Sequence, residues 1–284
     1  YIKLFLMKIK GYSNKLLIFL FLFVLSFTND YAQVTGDFRS LATGSWSAAG
    51  TWQRYSSTAV WQNSGVGENS PGQVPGVGVA NGNVTIQNAH TVTIDITNAT
   101  AIASLTVGGG ASGILQFETV TNRTLTITGN LSILSFAAFN VQNAGGQAGS
   151  IIVGGNLSNA GTMNLRQSAT RYADITINGT TISGNGTYTA FRNITIGGAV
   201  TNSSTSTINV YGDLTCNNTF TCTAGGINFM GGVAENLNGT TAPTFNNLSF
   251  ATIATYVTLS GITGITVNGT FTMSNTSTFD FGSG

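Results

Sequence analysis

The sequence predicts an all-β protein, and more narrowly a right-handed parallel β-helix or β-solenoid. From Asn83 onward, apolar residues alternate with Thr, Ser or Asn in pieces of three to six residues, each closed by Gly or Asn. Alternation with a period of two and many β-branched residues is the pattern of short strands. No stretch of ten or more residues in this part shows a helical stripe, and Gly, Thr and Asn are poor helix formers.

The clearest strand segments place a polar residue between two apolar ones. They are Val84–Ile86, Thr91–Ile96, Leu105–Val107, Leu125–Ile127, Ile175–Ile177, Ile194–Ile196, Ile208–Val210 and Ile265–Val267. Side chains of a strand alternate between its two faces, so each segment has one apolar face to bury. We therefore expect strand after strand with a common apolar interior.

A unit centred on glycine recurs between these segments, as in Ile127-Thr128-Gly129-Asn130-Leu131. Intervals near twenty residues suit a solenoid, because one turn carries two or three short strands and their corners. We expect each glycine at a corner, with its Asn or Thr neighbours stacked as a ladder from turn to turn. The glycines are Gly129, Gly155, Gly179, Gly198, Gly212 and Gly269, and the first four intervals are 26, 24, 19 and 14 residues.

The same strand pieces are also compatible with one or more antiparallel β-sandwiches. Asn-Gly is a favoured dipeptide in hairpin turns. It occurs at residues 81–82, 178–179, 185–186, 238–239 and 268–269. The solenoid is favoured because the glycine-centred unit has similar flanks at each recurrence.

Residues 1–32 have the layout of a secretory signal peptide. Lys8, Lys10 and Lys15 precede an uninterrupted apolar run at residues 16–25, and a polar stretch follows. That run is too short for a bilayer span, which needs about 20 apolar residues. We expect a secreted or extracellular protein, at the outer cell surface, without a membrane span in the mature chain. The alternative is an N-terminal anchor that is never cleaved.

The composition excludes several classes of protein. Charged residues are 7% of the chain, and all lysines lie in the first fifteen residues. From residue 33 onward, six arginines and eight acidic residues give a net charge of −2. A nucleic-acid partner is not expected because phosphates require a basic surface. The hydrophobic fraction of 42% opposes disorder, so we expect a folded and nearly neutral protein.

Cys216 and Cys222 are the only cysteines, and an exported chain could oxidise them. In one extended strand they would lie about 20 Å apart, so a disulfide requires a turn at Asn217-Asn218. They share strand parity with Leu214 and Phe220, which would place both thiols inward as small apolar groups. The favoured interpretation is that both cysteines are inward-facing apolar groups, and the disulfide is the alternative.

Residues 33–80 hold all three tryptophans and are expected to form an N-terminal cap before the solenoid of residues 81–284. The order along the chain is Trp46-Ser47, Trp52, a Pro-Gly segment at 71–76, and the two strand segments at 83–86 and 90–94. This order resembles the N-terminal part of large secreted surface proteins of Bacteroidetes-type bacteria, which are adhesin-like. It is also loosely similar to the G8-type extracellular module. The resemblance covers about residues 38–110.

The resemblance implies a parallel β-helix and a C-terminal sorting domain. Because the chain ends at Gly284 within another repeat-like segment, we expect the C-terminus to be truncated. The related pattern commonly has Asp before the Val-Thr-Ile strand, and here that residue is Asn83. Any charge contact made by that Asp is therefore in doubt.

Trp46, Trp52 and Trp61 have two candidate roles. They can close the open end of the solenoid, where a first turn would otherwise expose apolar surface and strand edges. Alternatively, their flat rings form a platform for sugars. We favour the cap. His90, the only histidine, is expected to be a hydrogen-bonded histidine in the core or at its edge.

Catalytic machinery is not apparent, and we predict no catalytic, cofactor-binding or metal-binding residues, no cofactor and no enzymatic activity. Hydrolysis of glycosides needs two neighbouring carboxylates. Stacking could bring Asp174 and Asp213 together, with the nearby arginines Arg166, Arg171 and Arg192. Surface ion pairing is the favoured interpretation of this group.

The leading hypothesis is a structural or adhesive solenoid that presents a Thr/Asn-rich face. Its partners would be extracellular glycans or neighbouring cell-surface proteins. The alternatives are the non-catalytic N-terminal part of a secreted carbohydrate-active enzyme and a carbohydrate-binding module.

Overall fold

The computed structural model describes residues 33–78, 82–109, 112–142, 146, 148–231, 234–250, 256–274 and 277–280. The predicted signal peptide, residues 1–32, lies outside these ranges. Residues 34–284 belong to one compact unit. The described part contains two helical segments, the three-residue 3-10 helices Ala49–Thr51 and Gly67–Asn69.

The chain winds through three sheets, called A, B and C, in about eight turns of a β-solenoid. Apart from an N-terminal hairpin and one short strand of sheet C, the strands pair in parallel with their neighbours one turn before or after. The solenoid prediction is confirmed and the antiparallel sandwich is wrong. Neighbouring strands of a sheet are about 4.8 Å apart, which is the advance of the solenoid per turn.

Sheet A has twelve strands. They are β1 (Phe38–Ser40), β3 (Trp52–Tyr55), β4 (Trp61–Asn63), β5 (Asn83–Ile86), β7 (Ser104–Val107), β10 (Leu131–Ile133), β13 (Leu157–Asn159), β17 (Thr181–Ser183), β20 (Val200–Asn202), β23 (Phe220–Cys222), β26 (Thr244–Phe245) and β29 (Thr266–Val267). β3 pairs antiparallel with both β1 and β4, so a hairpin extends the sheet beyond the first turn.

Sheets B and C complete each turn. Sheet B comprises β2 (Gly44–Ser45), β6 (Thr91–Ile94), β8 (Ile114–Phe117), β11 (Ala138–Val141), β14 (Thr162–Asn164), β18 (Thr187–Phe191), β21 (Thr207–Val210), β24 (Gly226–Phe229), β27 (Asn247–Phe250) and β30 (Phe271–Met273). Sheet C comprises β9 (Thr124–Ile127), β12 (Ala148–Val153), β15 (Arg166–Ser168), β16 (Arg171–Ile177), β19 (Ile194–Ile196), β22 (Leu214–Cys216), β25 (Ala234–Gly239), β28 (Tyr256–Ser260) and β31 (Thr278–Asp280).

The core is a set of apolar columns that run along the solenoid. One column of sheet C stacks Leu125, Ile151, Ile175, Ile194, Leu214, Leu237 and Leu259, all of them buried. Within each strand, the residues that alternate with the buried ones point outward and are mostly Thr, Ser and Asn. The alternation in the sequence therefore has a direct physical cause, because every strand buries one face and hydrates the other.

The length of a turn varies along the chain. Equivalent residues of sheet C are 26 apart between Leu125 and Ile151, but 19 apart between Ile175 and Ile194. The predicted interval near twenty residues is confirmed. Corners and a hairpin absorb the extra residues, because the three strands of each turn must keep their register.

The glycine-centred unit marks more than one corner. Gly129, Gly155, Gly179 and Gly198 lie one above another where the chain passes from sheet C to sheet A. A Cβ at Gly179 would overlap the carbonyl of Gly155, so close approach explains the glycine there. The units at Gly212 and Gly269 lie at the other two corners. The prediction that all six glycines belong to one repeating corner was therefore wrong for these two.

The polar ladder predicted beside these glycines is present. Asn156 donates its backbone N–H to Asn130 Oδ1 at 2.8 Å, and Thr180 donates its backbone N–H to Asn156 Oδ1 at 3.1 Å. Each side chain thus satisfies a corner amide of the next turn. Such contacts fix the stacking of the corner in addition to the sheets.

Both cysteines are buried, free thiols that point into the core. Cys216 ends β22 in sheet C, and Cys222 ends β23 in sheet A, after the corner at Asn217-Asn218. Burial of Leu214 and Phe220 confirms the predicted parity. The apolar interpretation of the cysteines agrees with the structure, and the alternative disulfide does not form in it.

Candidate functional site

The tryptophans separate into two groups by exposure. Trp46 and Trp52 are buried, with ring centroids 5.0 Å apart at 70°. Trp46 Nε1 donates to the carbonyl of Pro75, and Trp52 Nε1 donates to the carbonyl of Trp46. Rings with no solvent-accessible face cannot stack on a sugar, so the platform hypothesis is wrong for these two. Their position beside β1 fits the cap.

Trp61 is half-buried and belongs to an outward-facing patch of the β1–β3–β4 surface. The Arg39 guanidinium lies over its ring at 4.4 Å from the centroid, and Tyr55 contacts it edge-on at 5.1 Å. Gln53 accepts from Arg39 Nε at 2.7 Å and donates to Asn63 Oδ1 at 2.7 Å. This N-terminal patch combines aromatic, guanidinium and amide groups on one face.

His90 is half-buried at the edge of the first turn, as predicted. Its Nδ1 is 2.8 Å from Ser40 Oγ, which also accepts from the backbone N–H of Gln87 at 2.7 Å. Ser40 is 2% exposed. A buried hydroxyl cannot reach a substrate, so this Ser–His pair is a structural link between β1 and the first turn.

An Asp–Asn column runs along the outer face of sheet C. Asn193 donates its backbone N–H and its Nδ2 to the two oxygens of Asp174, each at 3.2 Å. Asn193 Oδ1 accepts from the backbone N–H of Asp213 at 2.8 Å. Asn236 donates its backbone N–H and its Nδ2 to Asp213 Oδ1 at 2.8 and 3.1 Å. Stacking thus aligns Asp174 and Asp213 two turns apart, with an amide between them.

The amide between the two carboxylates changes their chemistry. Burial raises the pKa of the Asp174 carboxyl, while the hydrogen bonds from Asn193 act in the opposite direction. Two carboxylates that shared a proton would have to be in contact. Here Asn193 intervenes, so the column is a continuous row of hydrogen-bonding groups on the surface.

The arginines beside this column stack on tyrosines. The Arg192 guanidinium lies 3.9 Å from the ring centroid of Tyr172, and the Arg166 guanidinium lies 4.2 Å from that of Tyr211. Neither forms an ion pair in the described part of the chain. The expected surface pairing of these two arginines with Asp was therefore wrong, because the ladder amides already occupy the carboxylates.

A small hairpin places Arg166 there. β15 pairs antiparallel with β16, so that Arg166 lies opposite Tyr172. Arg171, at the end of the hairpin, donates from Nε to Ser168 Oγ at 3.3 Å. The hairpin brings Arg166 to Tyr211, which is 45 residues later in the chain. Sequence alone gave no indication of this contact.

Glu235 is a fully buried carboxyl close to Arg166. Its Oε1 accepts from the backbone N–H of Gly231 at 2.7 Å, whereas its Oε2 has no hydrogen-bond partner. The pKa of Glu235 is raised to about 8, mainly by burial, with Asp213 acting in the same direction and the Gly231 hydrogen bond and Arg166 acting in the opposite direction. Glu235 is therefore mostly uncharged at neutral pH. Its parity with the inward Leu237 was the sequence signal for this burial.

The outer face of sheet A carries hydroxyl groups in two columns that cover successive parts of the solenoid and share only β17. The first consists of Thr85, Thr106, Ser132, Ser158 and Ser183, and the second of Thr181, Thr201, Thr221, Thr244 and Thr266. All ten are half-buried or exposed. Successive hydroxyls are about 4.8 Å apart along a column, as set by the strand spacing.

Among the described residues, no group of three or more His, Cys, Asp or Glu side chains is arranged to hold a metal ion. Within the same ranges, no helix combines the length and apolar character that crossing a bilayer requires.

The geometry defines a parallel β-solenoid with hydroxyl columns on sheet A and a Tyr–Arg–Asp surface on sheet C. Comparison of the chain with family models, with curated proteins and with solved structures finds no match. Its function is therefore inferred from the fold and the surface groups described above.

Proposed function

We propose that the chain is a secreted or cell-surface structural and adhesive β-solenoid. The observation that carries the proposal is the pair of uninterrupted hydroxyl columns on sheet A. A buried column of Ile, Val, Leu and Phe supports them, so the surface is held rigid. Many weak hydrogen bonds from such a regular surface would add up to adhesion without a single deep pocket.

Secretion is part of this proposal. Its support is the basic and apolar character of residues 1–32, together with the resemblance of residues 38–110 to secreted surface proteins. Fractionation of a bacterium that expresses the full chain tests it. The chain is expected in the medium or on the outer surface, and its retention in the cytoplasm would contradict the proposal.

Adhesion is tested by retention of the purified chain on immobilised glycans and on whole cells. Val replaces the hydroxyl of Thr with a methyl group of similar shape and favours strands. We expect the triple variant with Thr201→Val, Thr221→Val and Thr244→Val to lose most retention. The circular dichroism spectrum of this variant should match that of the unmodified chain if the fold is retained.

A matched control lies on the outer face of sheet C. Thr176, Thr195 and Thr215 form a shorter column there, which Ile152 interrupts. The same three Thr→Val changes in this column are expected to leave retention on neutral glycans unchanged. Equal retention of the sheet A variant and the unmodified chain would refute adhesion through the hydroxyl columns.

A second candidate, a carbohydrate-binding module, is favoured by the N-terminal patch around Trp61. Aromatic rings combined with guanidinium and amide groups recognise sugar rings and their hydroxyls. Trp61→Ala distinguishes the two candidates. Loss of glycan retention in this variant, with the hydroxyl columns intact, would favour the binding module.

A further inference from the structure

We infer that Arg166 and Arg192, held on Tyr211 and Tyr172, form a binding site for a uronate-containing polysaccharide. The inference rests on the proposed adhesive function and names the ligand class of one surface. The polysaccharide would lie along the outer face of sheet C, with its carboxylates on the guanidinium groups and its hydroxyls on the Asp–Asn column.

The guanidinium groups of Arg166 and Arg192 are accessible to an anionic ligand. Both are half-buried, and neither has an ion-pair partner in the described ranges, unlike Arg54 and Arg123, which contact Glu68 and Glu118. A guanidinium has five N–H donors in a planar fork that matches a carboxylate. Stacking on the tyrosines fixes the guanidinium planes before any ligand arrives.

The neighbouring acids select the chemistry of the ligand. A densely charged anion would be repelled by Asp174 and Asp213, while a neutral sugar would leave both arginines without a carboxylate. A uronate unit carries one carboxylate together with several hydroxyl groups. The carboxylate suits Arg166 or Arg192, and the hydroxyls suit the carboxylate and amide oxygens of the column.

Glu235 is a buried carboxyl beneath this surface. It is close enough to Arg166 to affect its ionisation, and its Oε2 is buried without a hydrogen-bond partner. Because the effect of burial outweighs the hydrogen bond from Gly231, the pKa of Glu235 is raised to about 8, so Glu235 is mostly uncharged and does not neutralise Arg166. The charge of Arg166 is left for a ligand.

The spacing of the tyrosines favours a polymer over a single sugar. Tyr172, Tyr211 and Tyr256 each lie three residues before an inward residue of the same column, on every second turn. Adjacent members are therefore about 9.6 Å apart along the solenoid axis. A linear chain of sugars parallel to the axis would meet this repeat, whereas a peptide strand would use sheet edges.

The test measures binding of the purified chain to polygalacturonate by isothermal titration calorimetry. We expect the double variant Arg166→Gln with Arg192→Gln to bind at least about tenfold more weakly. The matched control, Arg54→Gln with Arg123→Gln, removes the same charge elsewhere and is expected to bind like the unmodified chain. Equal weakening in both variants would overturn the site.

Three other probes define the ligand class. A neutral cello-oligosaccharide that binds as tightly as polygalacturonate would overturn the carboxylate requirement. Polyglutamate or dextran sulfate that binds as tightly would overturn the uronate assignment in favour of an acidic peptide or a sulfate. For the unmodified chain, galacturonate should compete with polygalacturonate and galactose should not, which tests the inference even if the variants unfold.

Failure of the inference can be told apart from failure of the proposed function. Retention on cells or glycans that depends on the sheet A hydroxyls, without polygalacturonate binding, would refute only the sheet C site. Absence of both kinds of binding would refute both.

Discussion

Asn83 donates its backbone N–H and its Nδ2 to the same carboxylate oxygen of Asp37, at 2.8 and 3.1 Å. The contact joins the segment before β1 to the start of β5, the first strand of the regular solenoid. Asp37, which is 6% exposed, supplies the carboxylate of this contact, and Asn83 supplies both donors.

We therefore expect Asn83→Asp to destabilise the protein by about 1–2 kcal/mol, because two carboxylates would face each other and a donor would be lost. Chemical denaturation at pH 7 measures the change in the free energy of unfolding. The exchange variant, Asp37→Asn with Asn83→Asp, should recover part of the loss. An Asn83→Asp variant as stable as the unmodified chain would show that the contact contributes nothing.

Glu235 should make stability depend on pH. Its pKa is about 8 in the folded chain, against an ordinary value of 4.5. Between these values the folded state retains a proton that the unfolded state releases, so this group favours folding most at low pH. We expect the free energy of unfolding to fall as pH rises from about 4.5 to about 8, by at most about 1.4 kcal/mol per pH unit.

The variant Glu235→Gln isolates this contribution, because it cannot ionise and keeps an oxygen for Gly231. Denaturation at pH 5, 7 and 9 should give a flatter profile for this variant than for the unmodified chain. Glu118→Gln, which removes a carboxylate paired with Arg123, is the control and should not flatten it. Identical profiles for Glu235→Gln and the unmodified chain would contradict the assignment.

The corner glycines should be intolerant of a side chain. A Cβ at Gly179 would overlap backbone atoms of Gly155, which cannot move without disturbing the stacked corner. We expect Gly179→Ala to lower the free energy of unfolding by about 2–3 kcal/mol. The comparison is Gly50→Ala, where no atom lies within 4 Å of the added Cβ. A similar effect at both positions would rule out close packing as the cause.

The thiols of Cys216 and Cys222 should be unreactive in the folded protein. Burial raises the pKa of Cys216 to about 12 and that of Cys222 to about 11, and the two are 0% and 2% exposed. Because the thiolate is the reactive form, a thiol reagent at pH 8 should label neither until denaturant is added. Rapid labelling before unfolding would contradict two buried free thiols. A protein mass lower by two hydrogen atoms, as a disulfide would give, would also contradict them.

Strand alternation and the interval near twenty residues were sufficient to predict the solenoid. Both signals are local, since each strand must bury one face and each corner must fit the turn below it. The predicted strand segment Thr91–Ile96 is two residues too long. The strand ends at Ile94, because Asp95 leaves the sheet and accepts from the backbone N–H and hydroxyl of Ser47.

The sequence by itself determined which residues face inward, including Cys216 and Cys222, and that charged groups are few. Only the tertiary structure decided which outward residues meet, such as Arg166 with Tyr211 and Asp174 with Asn193. The physical reason is that the turns differ in length and that β15 folds back on β16 as a hairpin. Spacing in the sequence therefore does not reveal which side chains stack. Neighbours on the surface are set by register between turns, which the packed core fixes.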